Sequence, residues 1–315
     1  MVVPQLRTVT RTQGNNEALK TGAVTPRGFR FEFEEVPVLV QAFRRMVRGL
    51  EFDVSEMALT TYLVAKAHGA RFTAVPVFLV RGFHHGAIFH DPASDVRDPK
   101  DLEGRRVGVS RGYTVTTGVW ARAVLQEEYG VDLDKVTWVL SGDEHVAAYR
   151  PPANVVPMDP GGSLEDRVLG GDLAAVIGPR PASPALAPLI PDPEEAGYTA
   201  LRERSLYPIN HLIVVRDELL EEQPELAALV FDAFARAKQL YVDRLRGGAI
   251  GSPTATDLMY RRVLEVTGAD PLPYGMEPNR AVLEELMRHA VDQRILQRPV
   301  RLEELFAEST HTMVA

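Results

Sequence analysis

An uninterrupted apolar run directly followed by basic side chains is the feature that most restricts how this chain can fold. Residues 75–80 (VPVFLV) predict a strand buried on both faces, as in a parallel sheet. Arg81, His84, His85 and His90 follow this strand within ten residues. Because ligands bind at the carboxyl ends of strands in open α/β sheets, we expect a site here that binds an anion and transfers protons. A solvated loop is the alternative interpretation.

The rest of the chain alternates between predicted strands and predicted helices, and it ends in helices alone. The other predicted strands cover residues 6–11, 29–34, 52–56, 105–110, 135–140, 173–178 and 212–216. The predicted helices cover residues 15–22, 37–49, 57–68, 115–129, 224–245, 256–267, 279–294 and 302–306, and a capping box at 163–166 opens a further short helix. Residues 179–193 are rich in proline and predict an irregular connector.

This order predicts an α/β protein with two lobes, a ligand cleft between the lobes and a helical C-terminal tail. The length of 315 residues also favours two domains over one. We expect the first lobe to comprise residues 1–88 and 208–315, and the second lobe to comprise residues 89–207. His85 precedes the predicted outgoing crossing and His211 follows the returning one, so both are expected at the cleft.

Composition excludes several kinds of site and partner. The chain has no cysteine, which excludes disulfides, thiolate metal sites and cysteine nucleophiles. A net charge of −8 argues against a nucleic-acid partner. No apolar run is long enough to span a membrane, and residues 1–7 lack the pattern of a secretory signal, so we expect a cytoplasmic protein without a membrane partner. The long C-terminal helices are compatible with a homo-oligomer.

Two further predicted strand ends carry polar side chains. The strand 52–56 is expected to deliver Ser55 and Glu56 to the start of the next helix, where they would bind a ligand or only cap the helix. Ser110 ends another strand, and Thr114 follows it in a loop whose hydroxyls and free N–H groups predict an anion cradle. Helix capping alone is again the alternative. The loop lacks the Gly-Lys-Ser/Thr ending of a P-loop.

Five stretches, spread in order over nearly the whole chain, carry a resemblance to a known family. They are residues 52–59 (FDVSEMAL), 81–88 (RGFHHGAI), 101–108 (DLEGRRVG), 208–211 (PINH) and 273–280 (PYGMEPNR). They resemble the 4,5-dihydroxyphthalate decarboxylase family, and the resemblance implies a type II periplasmic-binding-protein-like fold without an export signal. The chain departs from the family pattern at His84, where an arginine is usual, and after Ser141-Gly142, where an arginine-bearing pattern is missing. These departures put the exact substrate in doubt.

The resemblance implies the loss of one carboxylate from a ring that carries two adjacent carboxylates and two hydroxyls. Such a decarboxylation can proceed by adding a proton to the ring carbon that bears the leaving carboxylate, while the para hydroxyl releases electrons. Loss of CO2 then restores aromaticity, and no cofactor is strictly required. The site must supply a proton donor, a base near the phenol and cations that hold the retained carboxylate.

We assign roles to the candidate residues on this basis. His85 is expected to be the general acid, because histidine titrates near neutral pH, and His211 is its partner or the alternative donor. Glu56 would accept the phenolic proton or orient a histidine. Arginines would hold carboxylates as planar forks, and His84 would replace a family arginine. The expected binding residues for a small aromatic carboxylate are Arg11, Ser55, Arg81, His84, Ser110, Thr114 and Arg180.

Three other interpretations are open. His84, His85, His211 and Glu56 are residue types that could bind a metal ion, but adjacent histidines on an extended strand point in opposite directions, so we expect no metal. A non-catalytic small-anion-binding protein of the periplasmic-binding-protein type would use the same fold without chemistry. A ligand-sensing regulator would need a DNA-binding domain, and no helix-turn-helix pattern is present. A carboxylate receptor has little need for two such histidines, so we favour the enzyme.

Overall fold

The computed structural model describes residues 3–315, and the chain divides into two compact units. Unit one comprises Met1–Gly82, Ile209–Glu284 and Val300–Ala315, and unit two comprises Phe83–Pro208 and Glu285–Pro299. The chain leaves unit one after Gly82, whereas the predicted lobe boundary lies after residue 88. The C-terminal segment is shared between the units instead of belonging to the first lobe alone.

The bounds of the strands and helices agree with most predicted elements to within a few residues. The strands are, in chain order, β1 Gln5–Val9, β2 Arg30–Phe33, β3 Val54–Ala58, β4 Phe72–Arg81, β5 Ile88–His90, β6 Arg106–Val109, β7 Thr137–Leu140, β8 Val155–Pro157, β9 Ala175–Ile177, β10 Ala187–Pro188 and β11 Ile209–Arg216. The helices are α1 Glu17–Lys20, α2 Leu39–Gly49, α3 Leu59–Ala67, α4 Thr116–Tyr129, α5 Leu164–Leu169, α6 Pro193–Arg204, α7 Asp217–Glu222, α8 Leu226–Arg246, α9 Ala255–Thr267, α10 Arg280–Asp292 and α11 Leu302–Leu305. Within residues 3–315, no helix combines the length and the apolar character needed to cross a bilayer.

Unit one is built on a five-stranded sheet in the order β2-β1-β3-β11-β4. β1 is parallel to β2 and β3, but β11 is antiparallel to both β3 and β4. The strand predicted at residues 75–80 is confirmed within β4, and its predicted parallel pairing is wrong. The apolar run indicates only that both faces of the strand are covered, and a strand buried in this way can run antiparallel to its neighbour.

Ser55 and Glu56 lie inside β3 and not at the start of a helix. β3 continues to Ala58, and α3 begins only at Leu59. The predicted helix start at residue 57 is therefore wrong, and Ser55 caps no helix. β3 is paired with β1 on one side and with β11 on the other, and these ladders extend the strand through residues whose side chains favour a helix start.

Unit two is built on a six-stranded sheet in the order β10-β5-β9-β6-β7-β8. The four strands from β9 to β8 in this order are parallel, so their carboxyl ends meet at one edge. β5 and β10 are antiparallel additions on the other side of β9. The loop that follows β6 leads into α4, which places the start of this helix at the edge where the parallel strands end.

Helix α6 is the longest element that the sequence pattern did not predict. The proline-rich residues 179–193, expected to be irregular, contain only the two-residue strand β10 before α6 begins. α6 has proline and two glutamates in its first turn and two arginines near its end, which suits the helix macrodipole. Its only large buried side chains are Tyr198 and Leu201, so the apolar periodicity that would predict a helix is weak. The residue types typical of a helix start and a helix end are nevertheless present.

Candidate functional site

A buried carboxylate and a histidine meet between two neighbouring strands of unit one. Nδ1 of His211, on β11, lies 2.6 Å from Oε1 of Glu56, on β3. The other carboxylate oxygen, Oε2, accepts the backbone N–H of Arg11 at 2.9 Å. The ring of Phe43 packs edge-on against the imidazole, with 5.2 Å between the ring centroids. The imidazole is therefore held both by a hydrogen bond and by an aromatic contact.

The two members of this pair differ in their access to solvent. The Glu56 side chain is fully buried, whereas 18% of the His211 side chain is exposed. Since Nδ1 is engaged by the carboxylate, Nε2 is the ring nitrogen that can reach a ligand. An imidazole held in this way has one ring nitrogen with which it can donate a proton to a ligand and accept one back.

A cavity of about 560 Å³ in unit one is linked to the Glu56–His211 pair through shared neighbours, although neither member of the pair lines it. Arg11 lines this cavity and gives its backbone N–H to Glu56, and Val80 lines it and lies opposite His211 in the sheet. The volume falls within the range of roughly 300–1,000 Å³ that is usual for small-molecule sites. The lining residues are Arg11, Thr12, Gln13, Gly14, Asn15, Glu17, Val80, Arg81, Tyr241, Arg244, Ile250, Thr254, Thr256, Asp257 and Tyr260.

The cavity has an excess of positive charge. Three arginines face two carboxylates, and both carboxylates already have partners. Glu17 lies 3.4 Å from Arg244. Burial alone would raise the pKa of Asp257, but hydrogen bonds from Tyr241 and Thr254 outweigh it and lower that pKa. The excess positive charge of the lining is suited to an anionic ligand.

Arg81 is a preorganised cation in this cavity. It is buried, and its Nη1 donates to Oδ1 of Asn279 at 2.7 Å. The Asn279 amide in turn donates to the carbonyls of Pro273 and Gly275, which fixes the acceptor. The guanidinium of Arg11, by contrast, is exposed and makes no hydrogen bond to any residue from 3 to 315. Burial raises the pKa of the neighbouring Tyr260 to about 12, so its phenol stays protonated at neutral pH.

His85, the expected general acid, has a second carboxylate partner in unit two. Its Nε2 lies 3.0 Å from both carboxylate oxygens of Glu128, on α4, and Glu128 also pairs with Arg204. The ring is 1% exposed, and Nδ1 is buried without a hydrogen-bond partner among residues 3–315. In this conformation neither ring nitrogen is open to a ligand. This geometry favours a structural role for His85.

The basic cluster after β4 is divided between the two units. Arg81 belongs to unit one, and His84, His85 and His90 belong to unit two. His84 is buried, and its carbonyl accepts the N–H of Ala87 in a single 3-10 turn. Burial lowers the pKa of His90, which lies on β5. The four residues therefore do not belong to a single unit, although they are close in sequence.

The predicted anion cradle at Thr114 is filled by the chain's own carboxylate. The backbone N–H of Tyr113 donates to Oε1 of Glu144 at 2.5 Å, and the Thr114 hydroxyl donates to Oε2 at 2.5 Å. The Thr114 N–H points to the same oxygen at 3.3 Å. The prediction that these groups are open to a substrate is therefore wrong for Thr114. The loop does bind a carboxylate, but it is supplied from within the protein.

The other predicted binding residues differ in their access to a ligand. The Ser55 hydroxyl is fully buried and donates to the carbonyl of Glu56 at 2.8 Å, so it does not reach a ligand as predicted. Ser110 lines a small cavity of unit two. Arg180 is exposed three residues after the end of β9. Within residues 3–315, no group of three or more histidine, aspartate or glutamate side chains has an arrangement that could hold a metal ion.

Comparison with characterised proteins identifies the family of this chain. No protein-family model matches it. The chain is 30% identical over 282 residues to the 4,5-dihydroxyphthalate decarboxylase of Comamonas testosteroni, which covers 84% of this chain and 85% of that protein. It is 34% identical over 178 residues to the 4,5-dihydroxyphthalate decarboxylase of Pseudomonas putida, covering 51% and 69%.

The chain belongs to the 4,5-dihydroxyphthalate decarboxylase family.

Family membership confirms the resemblance on which the sequence interpretation relied. It also confirms the predicted enzyme class, because decarboxylases are carboxy-lyases. Replacing a carboxylate by hydrogen requires a proton donor close to the substrate. The Glu56–His211 pair contains an imidazole that can donate a proton, and the nearby cavity contains arginines that can bind a carboxylate.

Solved structures confirm the predicted fold class at low sequence identity. The periplasmic aliphatic sulphonate binding protein SsuA of Escherichia coli matches with a TM-score of 0.54 at 11% identity, covering 98% of this chain and 99% of that one. The CA3427 gene product of Candida albicans, described as having the generic periplasmic binding protein fold, matches with a TM-score of 0.53 at 13% identity, covering 98% and 95%. The desulfurization enzyme DSZB matches with a TM-score of 0.52 at 15% identity, covering 96% of each chain. The decarboxylase family member therefore has the periplasmic-binding-protein fold.

Proposed function

We propose that this family member decarboxylates a hydroxylated aromatic dicarboxylate of the 4,5-dihydroxyphthalate type, with His211 as the proton donor. The observation that carries the proposal is the Glu56–His211 pair, which uses Nδ1 of the imidazole and leaves Nε2 for a ligand. An arginine-containing cavity lies next to the pair, because Arg11 lines that cavity and donates its backbone N–H to Glu56. The substrate class comes from the names of the two relatives. The cytoplasmic location and a homo-oligomeric state remain predictions of the sequence.

In the proposed reaction, Nε2–H of His211 gives its proton to the ring carbon that bears the leaving carboxylate. Electron release from the para hydroxyl stabilises the resulting cationic ring. The carbon–carboxylate bond then breaks, its electron pair returns to the ring, and CO2 leaves. The donated proton stays on the product, and His211 regains a proton from solvent. One proton is consumed for each dicarboxylate that is converted to a monocarboxylate and CO2.

Glu56 is proposed to orient His211 and not to accept the phenolic proton. Both of its oxygens are already used, one by the imidazole and one by the Arg11 N–H, and the side chain is fully buried. A carboxylate in this position fixes which imidazole nitrogen faces the substrate and stabilises the imidazolium between turnovers. Of the two roles that the sequence left open for Glu56, the contacts support the orienting one.

Arg11 and Arg81 are proposed to hold the carboxylates of the substrate. A charged hydrogen bond from a guanidinium to a carboxylate is stronger than a neutral one and has a fixed direction. Arg81 is already positioned by Asn279, whereas the Arg11 side chain is exposed and can adapt to the ligand. The protonated phenol of Tyr260 adds a neutral donor to the same cavity.

The proposal is tested with the purified, chelator-treated protein and 4,5-dihydroxyphthalate. The monocarboxylate product and released CO2 are followed for the wild type, for His211→Gln and for His68→Gln, an exposed histidine of the same unit. We expect turnover by the wild type and His68→Gln and its loss in His211→Gln. Tight binding without product would instead indicate the non-catalytic anion-binding protein, and turnover only after adding a metal ion would indicate the metal-dependent alternative.

A further inference from the structure

A carboxylate that the proposed reaction does not yet use lines the arginine-containing cavity of unit one. It belongs to Asp257, the third residue of α9, and the other carboxylate of the lining, that of Glu17, lies 3.4 Å from Arg244. The reaction is assisted by an acceptor for the proton of the para hydroxyl. Glu56 is unsuited to this role, because it is fully buried and both of its oxygens are engaged.

Asp257 is ionised and has an open acceptor position. Oδ2 accepts the backbone N–H of Thr254 at 2.8 Å and its hydroxyl at 2.7 Å, whereas Oδ1 accepts only the phenol of Tyr241 among residues 3–315. A carboxylate has about four lone-pair sites, so Oδ1 can accept one more hydrogen bond. Burial alone would raise the pKa of Asp257, but the hydrogen bonds outweigh it and lower that pKa, so the carboxylate is charged at neutral pH.

The contacts of Asp257 go beyond those of an ordinary helix cap. Thr254 and Asp257 form the capping box of α9, and Ser163 and Asp166 form the same box at the start of α5. Asp166 is exposed, and its carboxylate accepts hydrogen bonds from Ser163 alone among residues 3–315. Asp257 is only 9% exposed and also accepts the phenol of Tyr241. Capping therefore explains the Thr254 contacts but neither the position in a cavity nor the Tyr241 contact.

Tyr241 is held beside Asp257 by close packing against the backbone of Gly14. A Cβ on Gly14 would lie 2.1 Å from Cε2 of the Tyr241 ring, so a larger residue there would displace the ring. Gly14 lines the same cavity and lies in the loop that provides Arg11. The absence of a side chain at this position therefore lets the phenol reach the carboxylate.

Tyr260 places a hydrogen-bond donor near the same carboxylate. Its ring centroid lies 6.4 Å from that of Tyr241. Tyr260 is 3% exposed, and no residue from 3 to 315 accepts the proton of its hydroxyl. Burial has the largest effect on its pKa and raises it, the charges of Arg81 and Arg11 lower it, and the charge of Asp257 raises it. The two arginines and the carboxylate thus all act on one phenol, whose proton is available to a ligand oxygen.

We propose that the ring hydroxyl para to the leaving carboxylate binds between Asp257 and Tyr260, and that Asp257 is the general base of the reaction. The hydroxyl donates to Oδ1 of Asp257 and accepts from the Tyr260 phenol, so one ligand group satisfies both. The arginines attract the carboxylates of the ring and Asp257 repels them, which sets the orientation of the ring. This assignment rests on the proposed decarboxylation.

The proton of the hydroxyl passes to Asp257 while His211 adds its proton to the ring carbon. A hydroxyl on a ring that gains positive charge is strongly acidic, so a carboxylate of low pKa can take its proton. The ring then carries a carbonyl, which accepts the Tyr260 hydrogen bond. When the carbon–carboxylate bond breaks, its electron pair returns to the ring, CO2 leaves and the oxygen regains the proton from Asp257. The net consumption stays one proton for each turnover.

The test compares the same substitution in the two capping boxes, Asp257→Asn and Asp166→Asn, in the full-length protein. kcat is measured with 4,5-dihydroxyphthalate, and thermal unfolding shows that each variant is folded. Calorimetry gives the dissociation constants of 4,5-dihydroxyphthalate and of phthalate, which has no hydroxyl. Binding is measured with His211→Gln also present, so that the substrate is not consumed.

Asp257→Asn should lower kcat about tenfold or more, whereas Asp166→Asn should leave it unchanged. With Asp257 present, 4,5-dihydroxyphthalate should bind about tenfold more tightly than phthalate, and Asp257→Asn should remove most of this preference. Phthalate itself should bind Asp257→Asn as tightly as before or more tightly, because a negative charge has been removed. Tyr260→Phe should reduce the preference about threefold.

Asp257→Glu separates the charge from the cap, since glutamate is a usual acid of a capping box. It keeps the carboxylate and should retain more of kcat than Asp257→Asn. Equal losses of kcat in these two variants would overturn the role as a base. Weaker binding of phthalate by Asp257→Asn, in parallel with the loss of kcat, would show that Asp257 only maintains the cavity and would also overturn it.

The proposed function fails separately from this assignment. If the wild type releases no CO2 but its preference for 4,5-dihydroxyphthalate depends on Asp257, the hydroxyl site stands and the decarboxylation proposal fails. If CO2 is released and Asp257→Asn equals Asp166→Asn in kcat and in preference, the decarboxylation proposal stands and the assignment of Asp257 is overturned.

Discussion

Each unit of the molecule contains a histidine hydrogen-bonded to a glutamate, and the two pairs differ in almost every other respect. In unit one the carboxylate of Glu56 is fully buried and the imidazole of His211 is 18% exposed. In unit two the arrangement is reversed, because the imidazole of His85 is 1% exposed and the carboxylate of Glu128 is 20% exposed. Glu128 is also neutralised by Arg204, whereas the second oxygen of Glu56 takes only a backbone N–H.

The difference shows why a histidine–carboxylate pair alone does not indicate catalysis. A proton donor must present a ring nitrogen to the substrate, and His211 can present Nε2 whereas both nitrogens of His85 are inside the protein. The contacts therefore support the proposed proton transfer for the pair in unit one. The pair in unit two is built to connect the turn His85–Ala87 to helix α4.

The largest expected effect is the loss of catalysis in His211→Gln. Glutamine can keep a hydrogen bond to Glu56 but cannot donate a proton to the ring carbon, so kcat should fall by about 10²- to 10⁴-fold, the usual contribution of a general acid. The matched variant His85→Gln should keep a kcat close to the wild type. Steady-state kinetics of CO2 release checks both variants, and equal losses in the two would remove the distinction between the pairs.

The orienting role of Glu56 predicts a smaller loss in Glu56→Gln. The amide still accepts a hydrogen bond from the Arg11 N–H but no longer stabilises an imidazolium, so kcat should fall by about 10- to 100-fold with little change in KM. Measuring kcat and KM separately checks this. A rise in KM at constant kcat would show that Glu56 acts in binding and not through His211.

The corresponding substitution in unit two should affect stability and not turnover. Glu128→Gln removes the charged partner of the buried His85, and we expect the free energy of unfolding to fall by about 1–3 kcal/mol. Denaturant unfolding measures this free energy. The control is Arg202→Gln, because Arg202 lies on the same helix as Arg204 but pairs with Glu195 on the surface. A large loss of kcat in a fully folded Glu128→Gln variant would contradict the structural role.

Alkaline pH should lower the stability of the fold, and this effect is smaller than the expected losses of kcat and independent of them. Burial raises the pKa of Tyr260 from 10.0 to about 12. Because the folded-state pKa is the higher one, the stabilisation is complete below pH 10 and is lost as the pH rises towards 12, by roughly 1–3 kcal/mol in all. Tyr260→Phe should reduce this alkaline loss of stability in thermal unfolding. An unchanged pH dependence in that variant would show that Tyr260 does not contribute.

The sequence identifies the members of the unit-one pair but not their neighbours. The sequence predicts Glu56 because it ends the predicted strand 52–56, and His211 because it lies directly before the predicted strand 212–216. Both residues lie in stretches that resemble the family. Asn279, which holds Arg81, is 198 residues away from it, and Glu128 is 43 residues from His85. Such partners are brought together by the tertiary fold, and a single sequence has no local pattern that indicates them.

The sequence also predicts which segments are buried more reliably than it predicts the direction of a strand or the residues at which strands and helices begin and end. The apolar run in β4 predicts a covered strand but is equally compatible with the antiparallel neighbour that the structure has. Ser55 and Glu56 have the side chains of a helix start, yet pairing with two strands keeps them in β3. The residues of the loop at Thr114 predict an anion cradle that is open to a ligand, and the sequence cannot show that Glu144 fills it.

The most direct test of the distinction between the two pairs is NMR of the protein labelled with ¹⁵N in its histidine rings. Phthalate, which lacks the hydroxyl needed for the reaction, is added as an unreactive analogue of the substrate. We predict that the Nε2 resonance of His211 moves with a saturation curve that matches the inhibition of decarboxylation by phthalate, while both ring nitrogens of His85 stay unchanged. Movement of the His85 resonances with no response from His211 would contradict the assignment of the proton donor.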